Sequence, residues 1–383
     1  MKIRDIELIG LEYGVPEAQA YGASRAMMSK RQTPLFLLHT EEGVSGVGEA
    51  LTSPLLARAN LEFLKPHFIG TDIHDRDATW SRLLNRFYHL GLQNPLIATY
   101  SGVNVAMLDA LGKGLKLPVH KLLGGKARSK LTAYASNGYV TRNPQADLEG
   151  QLEKLKGQGY KGLKIKIGLG PDADEARCAA VRRILGNDMV LMVDVNGNYT
   201  AELALASMRR IDSHGIHWYE EPLPPQDYKG YAHLRSKGTI PVAAGESHHT
   251  AHDFLRLLES GCIDIAQPDV CSVGGLDEAR RIADLCRLFN IRIAPHVWGS
   301  GVGLAAAIHF AASIPPYPHA DPQLESAGVP FWLEYDVSNV ALRDGILTRP
   351  FAVVEGMIEV PDAPGLGIEL DPEGIERYRM AAV

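Results

Sequence analysis

Six ionisable residues, Lys166, Asp194, Glu220, Glu246, Asp269 and His296, recur at spacings of 28, 26, 26, 23 and 27 residues. Each lies at or near the end of a short, β-favouring run: "LKIKIG", "VLMVDVN", "WYEEP", "PVAAGES", "IDIAQPD" and "RIAPHVW". One charge per strand-plus-helix unit puts all six at the C-terminal ends of successive strands, the mouth where barrel enzymes hold their active sites. Asp194, Glu220 and Glu246 fall on three consecutive strands. Like charges so close raise one another's pKa unless a cation compensates. Three carboxylates with open positions for water and substrate suit a hard divalent ion, with Mg²⁺ the default. A neighbouring lysine or a helix N-terminus could satisfy any one acid, but three in register favour the metal.

Alternation along "GLKIKIG" (162–168) puts Lys164 and Lys166 on one face and Leu163, Ile165 and Ile167 on the other. Lysine is seldom buried without a partner, so the lysine face should look onto the acids. The same parity groups Met192, Asp194 and Asn196, and predicts that Val242, Ala244 and Glu246 share the inward face of their strand. Of the adjacent pair, Glu220 is expected inward, and Glu221, before Pro222, toward the helices or the rim. His296 ends an apolar strand, and Asp269 on the preceding strand can hydrogen-bond the imidazole, fixing its tautomer and raising its basicity.

Two bases on opposite sides of a metal-held substrate point to removal of a proton α to a carboxylate. That proton is too weakly acidic for a side chain to take unaided, so a cation must stabilise the developing enediolate. A lysine desolvated beside another cation has a lowered pKa and can act as the base near neutral pH. Lys164 would be that second cation for Lys166.

The elements that must hold these residues follow from pattern. Residues 131–136, 163–168, 190–196, 218–222, 241–247, 263–269, 292–298 and 331–336 read as eight strands separated by amphipathic helices such as "DEARRIADLCRLFN". That count predicts an α/β fold, a (β/α)8 TIM-type barrel, over a doubly wound sheet, since no GxGxxG follows the first strand. Before it, "KIRDIELIGLEY", "TPLFLLHT" and "GVSGVGEA" read as strands with a turn at "EEG", and 54–90 and 96–115 as helices. The division expected is an α+β capping domain over 1–125, the barrel over 126–340, and a tail over 341–383 that packs back on the capping domain or the barrel mouth.

At 383 residues the chain is long for a single core. Its 45 % hydrophobic and 22 % charged residues are those of a soluble globular protein. A net charge of −6 argues against nucleic acid as partner. No apolar, charge-free run reaches the roughly 18 residues of a membrane helix, "MKIRDIELIG" alternates like a strand without the long apolar run expected of a signal peptide, and Cys178, Cys262, Cys271 and Cys286 form no CxxC pair. The expectation is a cytoplasmic protein with inert, reduced thiols and no membrane partner.

"LKIKIG", "VDVNG", "YEEP", "GES", "QPD", "PHVWGSG" and "WLEYD", in this order, closely resemble the mandelate racemase subgroup of the enolase superfamily over nearly the whole chain. The resemblance implies Lys166 as one acid/base catalyst supported by Lys164, Mg²⁺ on Asp194, Glu220 and Glu246, and an Asp269–His296 dyad as the second catalyst. It makes Glu334 of "WLEYD" the partner of a substrate carboxylate or enediolate oxygen. A lysine on the sixth strand would mark the muconate-lactonizing and dipeptide-epimerase branch, but Asp269 stands there. "SHHT" after Glu246 offers His248 or His249 to substrate or solvent, and "RAMMSKR" matches the family's mobile capping loop, with Arg25 or Tyr21 placed to bind a distal carboxylate or hydroxyl. A solvated loop is the alternative there. The family also implies a homo-oligomer.

Enediolate fate sets the product. Loss of a β-hydroxyl gives dehydration of a sugar acid, loss of a lactone carboxylate gives cycloisomerisation, and reprotonation on the opposite face gives racemisation. "RIAPHVWGSGVGLAAAIHFAA" and "EVPDAPGLGIEL" look most like the galactarolactone cycloisomerase branch and its acid-sugar neighbours. The expected substrate is therefore a small acid sugar or sugar lactone, with a racemase as runner-up. A silent sugar-binding barrel is the remaining alternative, and it would typically lack one of these ligands or bases.

Overall fold

The N-terminal layer is built of β1 (Ile3–Gly14), β2 (Tyr21–Ala23), β3 (Ala26–Met28), β4 (Lys30–Thr40) and β5 (Ser45–Glu49). The computed structural model of the chain describes residues 1–317, 329–338 and 341–381. β1, β4 and β5 pair antiparallel in that order, while β2 and β3 form a separate ribbon in the segment between β1 and β4. Gly43, at φ 80°, closes the β4–β5 hairpin at the turn expected from "EEG". The helical stretch expected over 54–90 is broken. Pro66 opens a 3₁₀ turn after the helix Pro54–Leu64, and the second helix runs from Arg76 to Arg86. The long helix Pro95–Leu115, capped by the Asn94 side chain, packs beneath this sheet against β5, where Gly46 and Gly48 allow the backbones to meet.

Eight parallel strands follow: β6 (Lys130–Asn137), β7 (Gly162–Lys166), β8 (Val190–Asp194), β9 (Ile216–Glu220), β10 (Val242–Ala244), β11 (Ile265–Ala266), β12 (Arg292–Ile293) and β13 (Trp332–Asp336). They run in the order β12-β11-β10-β9-β8-β7-β6-β13, so the last strand lies beside the first and the sheet curls round as a barrel. Across the β12–β13 seam, the Val297 amide donates to Glu334 Oε2 at 3.1 Å. Helices return between strands, and Thr200, Asp227 and Ser300 cap three of them with side-chain oxygens.

The barrel interior is a layer of Tyr134, Met192, Trp218, Ala243, Ile265, Ala294 and Trp332, distinct from the core between strands and helices. Leu163, Ile165, Val242 and Ala244 belong to that outer core. The parity expected for β10 is thus reversed, with Ala243 inside and Val242 and Ala244 outside. Glu246 still reaches the mouth because Gly245, at φ 152°, interrupts the alternation. A Cβ there would lie 2.8 Å from backbone atoms of Gln267, so only glycine permits the change of side.

The tail binds both parts of the molecule. β14 (Met357–Glu359) pairs antiparallel with β6, the Leu366 amide donates to Asp109 of the long capping helix, and Met380 donates to Gly10 of β1. All four cysteines are free and buried, and burial pushes each thiol pKa upward. Among the described residues no helix is long and apolar enough to cross a membrane.

Candidate active site

β7 to β9 place Lys166, Asp194 and Glu220 side by side at their C-terminal ends, in register. With Glu246 they make one cluster in which an oxygen of each acid lies within 4.8 Å of the others. Lys166 Nζ is 2.5 Å from Asp194 Oδ2. Lys164, 1 % exposed, contacts Glu220 Oε1, is 2.8 Å from Glu334 Oε1 and is 3.8 Å from Asp194. These acids are the partners that two buried lysines on one strand require.

The charges shift one another strongly. Burial raises Glu220, and Asp194, Glu334 and Glu246 add to it against Lys164, leaving its carboxyl at about 8. Burial would also raise Asp194, but Lys166 and Lys164 outweigh it and hold it low. Lys166 departs from expectation. Burial lowers its pKa and Lys164 helps, but Asp194, Glu246 and Glu220 prevail and it stands above the ordinary value. The acids surrounding the lysine, not its cationic neighbour, decide the sign.

Opposite the lysines, His296 Nδ1 is 2.7 Å from Asp269 Oδ2, and Nε2 is 3.3 Å from Glu246 Oε2. Burial pulls the imidazole down, yet Glu246, Asp269 and Glu334 raise it to about 10. Glu246 Oε2 is buried and makes no hydrogen bond, since the His296 contact lacks the geometry of one. An orphaned carboxylate oxygen beside two other acids is what a hard cation would satisfy, so the site fits a divalent ion.

The remaining expected residues surround this cluster. Glu221, expected toward the helices or the rim, is not at the surface. At φ 36° it is buried, accepts from Ser247 at 2.7 Å, and is raised by burial and by Glu246 and Asp194. Glu334 has both oxygens engaged, by Lys164 and the Val297 amide. Burial would raise its pKa, but Lys164 and His296 hold it at about 2, so it is an ionised acceptor that supports Lys164. His248 is buried away from the charged layer, near the Pro225 carbonyl at 3.2 Å and against Tyr228 and Phe254. His249 points to Ser272 at 3.4 Å.

In the capping segment, exposed Arg25 donates to the Gly197 carbonyl at 3.2 Å, just beyond Asp194. Tyr21 packs edge-on to Tyr139 and takes a 3.4 Å contact from Arg31. Arg31 is the cation that sequence reasoning missed. It is buried, pairs with Asp336 at 3.0 Å and lies 3.8 Å over the Trp298 ring, which Lys166 approaches to 5.9 Å. Gln267 was missed too. Two residues before Asp269 it donates to Glu220 Oε2 at 2.6 Å, joined by Trp218 Nε1 at 2.9 Å. Its place in "QPD" on an acid-bearing strand was the available signal.

This fold and site define a class. Residues 8–124 match the N-terminal domain of mandelate racemase and muconate lactonizing enzyme, and residues 147–374 match the enolase C-terminal domain-like family. The chain belongs to the mandelate racemase/muconate lactonizing enzyme family of the enolase superfamily. It is 34 % identical over 92 % of both chains to D-galactarolactone cycloisomerase of Agrobacterium fabrum. It is 31 % identical over 89 % of both chains to arabinonate dehydratase of Saccharolobus solfataricus. The crystal structure of 3,6-anhydro-D-galactonate cycloisomerase from Zobellia galactanivorans superposes with a TM-score of 0.88 at 31 % identity, covering 99 % of this chain and 100 % of that one.

Proposed function

We propose that this protein is a Mg²⁺-dependent enzyme that removes the proton α to the carboxylate of an acid sugar or sugar lactone. The enediolate then collapses by dehydration or lactone cycloisomerisation. One observation carries the reading: Lys166 and His296 border the same carboxylate triad from different strands, one at Asp194 and the other at Glu246. The relatives, a cycloisomerase and a dehydratase named for sugar acids, support the substrate class.

Asp194, Glu220 and Glu246 would hold the ion. When bound, it supplies positive charge that stabilises the enediolate and offsets the pull of the acids on Lys166. One base takes the α-proton, and the C–H electron pair moves into the enediolate. In dehydration the β C–O bond breaks, and the acid form of the other base, His296 Nε2–H in this arrangement, gives its proton to the departing hydroxyl, which leaves as water. In cycloisomerisation the leaving group at the β-carbon is the lactone carboxylate. Asp269 holds the imidazole by Nδ1, which leaves Nε2 facing the triad. Racemisation is the second reading, favoured by the two-sided placement of Lys166 and His296, and would return a proton to the opposite face.

A panel of aldonates, aldarates and aldarolactones incubated with protein and MgCl₂ and followed by NMR tests the reading. A 2-keto-3-deoxy acid or a ring-opened lactone is expected. An epimer as sole product would select racemisation, and no conversion across the panel would contradict an enzyme of this substrate class.

A further inference from the structure

Glu49, the last residue of β5, carries a fully buried carboxylate in the capping layer. It accepts from Thr33 Oγ1 at 2.8 Å, the Ser300 amide at 2.8 Å, Ser300 Oγ at 2.6 Å and the Gly303 amide at 2.7 Å. Among the described residues these four neutral donors satisfy it. Three of the bonds cross from the capping layer to the segment after His296 and to the first turn of the helix Gly301–Ser313. The barrel is shaped to receive it. A Cβ on Gly299 would lie 2.0 Å from Glu49 Oε1, and one on Gly303 would lie 3.0 Å from Oε2.

Two residues on, the Leu51 amide donates to the Cys271 carbonyl at 2.8 Å, and the Cys271 amide donates to Asp269 Oδ1 at 2.7 Å. Residues 49–51 therefore grip both segments that carry the dyad, one behind His296 and one behind Asp269. We propose that Glu49 is a positioning residue for the Asp269–His296 pair, and that seating of the capping layer sets the alignment of this acid/base. The inference rests on the acid/base reading of His296 given above.

The dyad bond can be read without turnover. In the wild-type protein, the His296 Nδ1 proton shared with Asp269 should give a far-downfield ¹H resonance, identified by its loss in His296→Asn. In Glu49→Gln the amide group presents donors where the barrel also presents donors, so that resonance should move upfield or broaden away. kcat should fall with little change in KM. Ser300→Ala removes one donor, keeps nearly the same volume, and should shift the resonance in the same direction if Glu49→Gln does not fold. A wild-type spectrum without the resonance, or a folded variant that leaves it in place, would overturn the proposal. A resonance that follows Glu49 in a protein inert toward every acid sugar would instead overturn the acid/base reading of the site.

Discussion

At the residue scale, Asp194, Glu220 and Glu246 do work that no lone acid could. Each is partnered, by Lys166, by Lys164 or across from His296, so removing one changes the charge balance of all. Asp194→Asn or Glu246→Gln should weaken Mg²⁺ binding, measured by calorimetry, by more than the ~10–100-fold typical of losing an outer hydrogen-bond partner. Gln267→Leu removes only such a partner of Glu220 and should fall within that range. The acids and bases were legible because one ionisable side chain per βα unit is a periodic signal. Gln267, Arg31 and Glu49 were not. Each is a single residue whose partner lies 47, 305 or 251 positions away, and only Gln267, in "QPD" on an acid-bearing strand, had a local signal.

At the element scale, strands are short and irregular where chemistry is placed. β10 was misread because alternation assumes a regular strand, and Gly245 breaks it. Gly245→Ala should cost about 1–3 kcal/mol of stability from backbone strain, read by chemical denaturation, and should displace Glu246 enough to weaken Mg²⁺ binding as well. Helix packing also sets an acid limit. Burial lowers the pKa of His309, on the helix Gly301–Ser313, to about 4, and that of His248 likewise. The unfolded chain takes up these protons near pH 6.5 while the native state resists until about pH 4, so stability present at pH 7 is lost as pH falls through that window. The loss is on the order of 1–3 kcal/mol per histidine. His309→Asn, which keeps an acceptor for the His120 amide, should flatten the dependence of Tm on pH between 7 and 4.5.

At the scale of the whole molecule, the capping layer and barrel are joined by polar contacts, three of them buried: Glu49 on the Ser300 turn, Arg31 with Asp336 and Trp80 Nε1 with Glu278 at 3.1 Å, with half-buried Arg76 to Asp277 at 2.7 Å beside them. Arg31→Met leaves the Asp336 carboxylate with Tyr139 and Ser338 but without its ion-pair partner, Arg343 reaching only the Asp336 backbone carbonyl. Loss of one partner from a buried pair costs about 3–5 kcal/mol, which equilibrium denaturation would register. The barrel order was legible from eight strand runs in turn, and the tail's return to both parts of the molecule was legible only in outline. How the two parts lock together was hidden, because long-range ion pairs leave no local pattern.

The central claim is that Lys166 and His296 address one α-carbon from two sides. Its most direct test is ¹H NMR of α-proton exchange in D₂O with Mg²⁺ and an acid sugar that the protein accepts. Wild-type protein should wash deuterium into the α-position or the derived product. Lys166→Ala and His296→Asn should each abolish incorporation on one stereochemical side while the other variant retains it. Identical exchange in wild type and both variants would contradict the assignment.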